Sequence, residues 1–392
     1  SLQDTYQRIY EASKPVMTEL NLSPVDIARS QVEKQFDSRN GGFSGAPKFP
    51  HPSILDFCIS HWSQTRKLEQ QPDSRILHCA IFSLEKMADG GIFDHLGGGF
   101  CRYSTDEYWM IPHFEKMLYD NGPLLSLYSK AWKVTNDPLF YDAACETADW
   151  VMREMQSDDG GYYSAQDADS EGSEGKFFVW SKDELDELLG ALSDNKNIQP
   201  DSVKLFKQRF GLDNAENFEG QWHLHGYKGT TQLANKSEQS AESLNHQFKL
   251  IRKHLFERRE QRIHPGTDTK ILCSWNALMI HGMSSAGRLL HKSHYIESAH
   301  KAALFLRKHC WIDHQLYASY KDGKATLNAY LDDYAFLIYA LLELLQSQWD
   351  NDLYDWTLEL ADTLIEEFED NNYGGFFFTA HDHENLIQRV KN

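Results

Sequence analysis

Four Gly-Gly-aromatic steps, Gly41-Gly42-Phe43, Gly98-Gly99-Phe100, Gly160-Gly161-Tyr162 and Gly374-Gly375-Phe376, punctuate a chain whose remaining stretches read mainly as helices. The first three are spaced about 60 residues apart, and the fourth lies a little over three such periods beyond the third. That length holds two helices and their loops. One Gly-Gly commonly just ends a helix, because glycine takes left-handed backbone without a Cβ clash. Four such steps followed by an aromatic signal a repeated helical hairpin.

Between the steps, apolar residues recur with a period near 3.6. Asp26–Phe36, Ser74–Met87, Pro138–Met155, Glu242–Arg262, Tyr295–His309 and Leu353–Phe368 read as amphipathic, charged helices. Ser53–Leu68, His113–Trp132, Ile271–Leu290 and Leu331–Leu345 are more apolar around their circumference, as interior helices are. The alternation predicts an all-α toroid, an inner ring of helices inside an outer one, with residues 1–392 as a single barrel domain. Phe177–Leu189 is the blurred fifth inner element, and a sixth inner helix is expected beyond Asn392, so that the last inner helix is missing. The abrupt start at Ser1 and the stop in mid-pattern suit a fragment of a longer protein. The polar, Asn/Gln/Lys-rich stretch from Gly190 to Ser240 reads as an insertion with a short helix near Val203–Phe210.

Composition narrows the function classes. At 41% hydrophobic over 392 residues the chain can bury a large core. A net charge of −19, with no cluster of Lys and Arg, argues against nucleic acid. The six cysteines include no Cys-x-x-Cys pair, so no zinc or dithiol motif is written here, and they read as reduced thiols. No apolar run approaches a membrane span, and Ser1–Tyr10 lacks a signal-peptide core, which makes the cytoplasm the expected location.

If the helices form a ring, the loops entering the inner helices line a central cleft, so polar residues there are the first site candidates. The densest cluster holds Asp94, His95, Arg102, Tyr103, Asp106, His113, Glu115 and Asp120. Carboxylates beside a histidine fix its tautomer and tune its proton affinity. His113 follows Pro112 and is expected in the first turn of a helix. Asp94, Asp106 and Glu115 serve equally well as helix caps or loop bridges. Asp167 and Asp169 form a second cluster; their alternation hints at a calcium loop, but the glycine and closing glutamate are out of register, so no metal is expected. The third comprises Asp268, Lys270, Trp275 and Asn276, where Trp275 offers a flat face to a sugar ring or simply packs in the core. Asp332, Asp333 and Tyr334 open an inner helix, where N-capping accounts for one carboxylate. No nucleophile elbow, phosphate loop or dinucleotide fingerprint is present, and no cofactor is expected.

These same stretches carry a resemblance. Gly41-Gly42-Phe43 through Ala46-Pro47-Lys48-Phe49-Pro50, Gly98-Gly99-Phe100 to Arg102-Tyr103, Pro112-His113-Phe114-Glu115-Lys116-Met117-Leu118-Tyr119-Asp120, Asp167-Ala168-Asp169-Ser170, Lys270 with Trp275-Asn276-Ala277-Leu278-Met279, and Asp333-Tyr334-Ala335 resemble the YyaL-like, spermatogenesis-associated family of thioredoxin-fused proteins. The match spans nearly the whole chain. It implies an (α/α)6 toroid of the six-hairpin glycosidase type, related in shape to N-acylglucosamine 2-epimerases. The thioredoxin-like domain that the resemblance implies upstream, a partner in the full-length protein, is absent from this sequence, as is the final helix with its Pro-Ser-Gly-Asn-type motif.

Two functional expectations follow. The first is a carbohydrate-active enzyme taking a small sugar or polyol. For epimerisation His113 is the base, Arg102 and Lys270 stabilise the developing enolate oxygen, and Asp106 or Glu115 orients the imidazole. For glycoside hydrolysis Asp169 and Asp333 flank the bond. The second is a non-catalytic binding module that presents ligands or partners to the thioredoxin-like domain. Fold by itself does not choose between them.

Overall fold

The structure, a computed structural model, describes residues 21–67, 71–192, 195–199, 201–383 and 389–391. The expected helix end at Leu68 and the Ser1–Tyr10 stretch lie outside the described residues. The chain divides into two compact units. Among the described residues, the larger comprises those within Gln31–Met155 and Ala165–Asp268, and the smaller comprises those within 21–30, Gln156–Ser164 and 269–391.

Helix α1 is Ser23–Gln35. The larger unit then contains α2 (Pro52–Lys67), α3 (Ser74–Asp89), α4 (Leu118–Thr135), α5 (Pro138–Trp150), α6 (Lys182–Ala191), α7 (Ser202–Phe210), α8 (Thr230–Lys236) and α9 (Ala241–Arg259). Helix α2 packs on α3 and α4 on α5, which are the hairpins the spacing predicts. The first helix of one hairpin also packs on the first of the other, α2 on α4, and the second on the second, α3 on α5. Asp73, Asp137, Ser181 and Ser240 start α3, α5, α6 and α9 by accepting an orphan backbone N–H in the first turn. The smaller unit repeats the pattern with α10 (Cys273–Leu290), α11 (Ser293–His309), α12 (Leu331–Ser347) and α13 (Asn351–Phe368): α10 packs on α11, α12 on α13 and α10 on α12.

Four differences from the sequence expectations stand out. His113 is not in a helix: Pro112–His113 is a short strand, β2, paired with β1 (Tyr103–Ser104), and α4 begins five residues later at Leu118. The expected helix Pro138–Met155 gives way at Val151 to a π-helical turn, Val151–Met155. Phe177, Phe178 and Val179 are buried but not helical; Ser181 caps α6 only after them, so the blurred element starts at Lys182. The polar stretch from Gly190 to Ser240 contributes Phe206, Phe210, Trp222 and Leu233 to a buried cluster with Trp180 and Leu185 of the α6 region and Phe248 and Leu255 of α9. Its sparse apolar residues fall at helical spacing, so a polar average conceals a packed face.

The glycine steps share one local device. In three of them an aspartate five residues before the second glycine accepts backbone N–H groups two and three residues on: Asp37 from Arg39 and Asn40, Asp94 from Leu96 and Gly97, Asp370 from Asn372 and Tyr373. The first glycine N–H returns to that aspartate's carbonyl, and both glycines have φ between 71° and 82°. A Cβ on Gly98 would sit 2.0 Å from the Glu146 carbonyl oxygen. Each aspartate also holds a lysine: Lys48 at 2.6 Å, Lys116 at 2.9 Å and Lys391 at 2.6 Å. The aromatic that follows is clamped in turn. Phe100 donates its N–H to Asn121 Oδ1 (2.7 Å), and Asn121 Nδ2 returns a bond to the Phe100 carbonyl. In the smaller unit Asn276 does the same for Tyr162.

Candidate active site

The strand pair β1–β2 brings the densest sequence cluster together. The Arg102 N–H donates to the Glu115 carbonyl, and Tyr103 lies opposite His113 in register. Their rings stack, with centroids 5.1 Å apart and planes 24° from parallel, and Phe49 lies 4.9 Å beyond Tyr103 with its ring partly exposed. Two carboxylates flank the imidazole. Glu174 Oε1 is 2.6 Å from His113 Nδ1, and Glu115 Oε2 is 3.7 Å from Nε2. Glu174 Oε1 also accepts the Phe114 N–H (3.3 Å). A neutral ring with Nδ1–H donating to Glu174 carries its lone pair on Nε2, the tautomer a general base needs.

Arg102 closes the other side. Its Nη1 donates to Glu115 Oε2 (3.3 Å) and its Nε to the Tyr119 hydroxyl (3.2 Å). Next to Tyr119, in the first turn of α4, Asp120 is buried, and its Oδ2 has no hydrogen-bond partner. Burial pushes the Asp120 carboxyl up to about 7; the Glu115 charge adds to this and the Arg102 charge opposes it. Burial and the Asp120 charge likewise raise the Tyr119 phenol, against the pull of Arg102.

Glu174 reaches this cluster from the second sequence cluster. It lies on β6 (Ser173–Glu174), opposite Asp169 on β5 (Asp169–Ser170). Asp167 and Asp169 are exposed, and Asp167 accepts the Asp169 N–H. Asp268, on β7 (Thr267–Asp268), joins them through β4 (Ala165–Gln166), which pairs with both β7 and β3 (Lys116–Met117). Sequence reading passed over Glu174, Tyr119 and Phe49 as site residues; only the strand pairing, which no helical periodicity announces, carries Glu174 to the imidazole.

Other candidates are engaged in the scaffold. Asp94 is buried between Lys116 (2.9 Å) and a bidentate Arg259 (2.7 and 2.9 Å). Burial alone would raise its pKa, but the two cations hold the carboxyl well below the usual range. His95 Nε2 bonds the Gly90 carbonyl (2.9 Å), and burial beside Arg209 and Arg252 keeps the ring neutral. Asp106 accepts the N–H groups of Tyr108, Met110 and Ile111 and so shapes the β1–β2 loop. In the smaller unit, Asn276 is the buried clamp on Tyr162. Asp333 accepts from Ser274 N (2.9 Å) and Tyr330 N (2.9 Å), tying the first turns of α10 and α12. The Tyr334 hydroxyl accepts the Leu316 N–H (3.2 Å). Lys270 precedes β8 (Ile271–Leu272), Trp275 lies half-buried in the first turn of α10, and Asp332 lies half-buried in that of α12. No described helix is long and apolar enough to cross a membrane, and among the described residues no three His, Cys, Asp or Glu side chains group as metal ligands.

Human spermatogenesis-associated protein 20 is 33% identical to this chain over 374 residues, which cover 88% of the chain and 47% of the human protein. The chain is a homologue of spermatogenesis-associated protein 20. It spans about half the length of that relative. A Caenorhabditis elegans protein described as uncharacterised is 32% identical over 389 residues, covering 92% of this chain and 52% of its own length. No family model matches the chain. Among solved structures, a polysaccharide lyase is 12% identical with a TM-score of 0.50, covering 95% of this chain and 79% of its own. At that identity the likeness speaks to fold alone, and the fold is the all-α, (α/α)6-toroid class that the resemblance implies.

Proposed function

We propose that this spermatogenesis-associated protein 20 homologue is a carbohydrate-active protein that epimerises or isomerises a free sugar. His113 takes the proton from the carbon beside the sugar's carbonyl, and Arg102 faces the oxygen on which negative charge develops. Glu174 holds the imidazole by its Nδ1 side, and Glu115 stands between imidazole and guanidinium. The observation that carries this reading is the 2.6 Å contact of His113 Nδ1 with Glu174, which leaves Nε2 as base within a site that also presents a guanidinium. The stacked Tyr103 and the partly exposed Phe49 suit a sugar's apolar face. The polysaccharide lyase of the same fold class acts on a sugar chain, which supports the substrate class. Hydrolysis by Asp169 and Asp333 is the weaker reading, since two backbone N–H groups already engage the Asp333 carboxylate.

The test is a panel of mono- and disaccharides incubated with the protein in heavy water. Solvent deuterium entering C2 of one sugar, lost in His113→Ala with folding intact, is the expected result. No exchange from any sugar would refute the reading, and a wild type that binds a sugar without exchanging it, with affinity retained in His113→Ala, would make the chain a binding module.

A further inference from the structure

The Asp120 carboxyl stands apart from the other buried carboxylates described above. Asp94 is held by two cations and Asp333 by two backbone N–H groups, whereas Asp120 Oδ2 is buried with no partner, on a residue only 9% exposed. A buried acceptor left unpaired is unfavourable in the ionised form, which needs partners for both oxygens. A carboxylic acid with its proton on that oxygen is a hydrogen-bond donor awaiting an acceptor.

We propose that Asp120 is the proton donor of this site, giving its carboxyl proton to the sugar's carbonyl oxygen as His113 removes the neighbouring carbon-bound proton. The proposal rests on the epimerase or isomerase reading above. The charged and titratable groups around Asp120 are Arg102, Glu115 and Tyr119. Glu115 and the apolar surroundings favour the protonated acid, and Arg102 sets the limit, leaving the group poised near 7. In the step, the C–H bond breaks, its proton passes to His113 Nε2, and its electron pair becomes the carbon–carbon double bond of an enediol. The carbonyl π pair takes the Asp120 proton as an O–H bond, leaving Asp120 a carboxylate beside Arg102. Collapse of the enediol in an isomerisation delivers the imidazolium proton to the former carbonyl carbon and the proton of the neighbouring carbon's hydroxyl to Asp120, so the site ends as it began. Arg102 thus serves both halves of the cycle, facing the oxygen as charge develops and then the Asp120 carboxylate.

The experiment compares the intact chain with Asp120→Asn, which keeps the size and a neutral polar group but has no acidic proton. Two readouts are taken. Difference infrared spectroscopy of wild type against D120N between pH 5 and 9 should show the carbonyl stretch of a neutral carboxylic acid, lost with a midpoint near 7. Solvent-deuterium exchange into the responsive sugar should fall at least about 100-fold in D120N, and the wild-type rate should decline above that midpoint while the residual D120N rate does not. A carboxylate already ionised at pH 5, or a D120N protein that exchanges at the wild-type rate, overturns the proposal. A wild type that exchanges no sugar overturns the reading on which it rests, and the infrared band tells the two failures apart.

Discussion

Replacing Asp94 by Asn should destabilise the larger unit more than replacing either of its cationic partners. Asp94 pairs with two buried cations, Lys116 at 1% and Arg259 at 3% side-chain exposure. The D94N side chain would keep the bonds from Leu96 and Gly97, since an amide oxygen also accepts, but it would remove the carboxylate that both cations bond directly. Breaking a buried pair in this way costs about 3–5 kcal/mol. Lys116→Met leaves Asp94 and Arg259 as a balanced, bidentate pair. It removes the charge-assisted bond to Asp94 and the bond to the Gly98 carbonyl, a loss of about 1.5–3 kcal/mol. Arg75→Ala removes an exposed pair with Glu33 and should change stability by about 0.5 kcal/mol or less. Urea unfolding followed by tryptophan fluorescence at pH 7 reads all three, since Trp150, whose ring lies 5.1 Å from Lys116 Nζ, is buried in the same unit. The pH dependence supplies a second check. The Asp94 pKa is depressed on folding, so its stabilisation is full above the unfolded value of 3.8 and fades as pH falls below it; the gap between wild type and D94N should close in acid. If K116M proves as damaging as D94N, the aspartate is not the hub of a charge cluster and the reasoning fails.

Three further outcomes are expected. Gly98→Ala, which meets the Glu146 carbonyl at 2.0 Å, should cost more than about 3 kcal/mol by thermal melting, whereas Gly374→Ala, with open space at its Cβ, should cost only about 1 kcal/mol for its positive φ. His223 is buried and His225 half-buried, and both are pushed down to about 4, so stability should be level above pH 6.5 and fall towards pH 4 by up to about 3 kcal/mol for each; a urea midpoint that stays constant over that range would contradict it. Glu174→Gln should leave the urea midpoint nearly unchanged while slowing exchange about 10-fold or more, as loss of an orienting carboxylate does; unchanged exchange would remove Glu174 from the site.

The helices were legible because each writes its own periodicity, and the Gly-Gly-aromatic rhythm was legible because glycine takes left-handed corners at the least cost. What stayed hidden involves pairing at a distance. The lysines of the Asp-Lys device lie 11 to 22 residues from their aspartates and look like ordinary surface charges in sequence. Asn276 looks like a polar candidate for a ligand, yet its amide, like that of Asn121, holds backbone. The hairpin Gln315–Lys321 with Lys324–Asn328 is signalled by Asp322-Gly323, both at positive φ, a two-residue turn that no helical repeat announces. At the site, Arg102, Tyr103, His113, Glu115 and Asp120 were found as a cluster because they lie within 19 positions of one another, and Glu174 was missed because 61 residues separate it from His113.

A crystal soaked with the sugar that exchanges deuterium tests the central claim most directly. The account predicts the sugar against Phe49 and Tyr103, its carbonyl oxygen about 3 Å from both Arg102 and Asp120, and the neighbouring carbon in reach of His113 Nε2. Ordered sugar elsewhere, with the imidazole and Asp120 untouched, would contradict it.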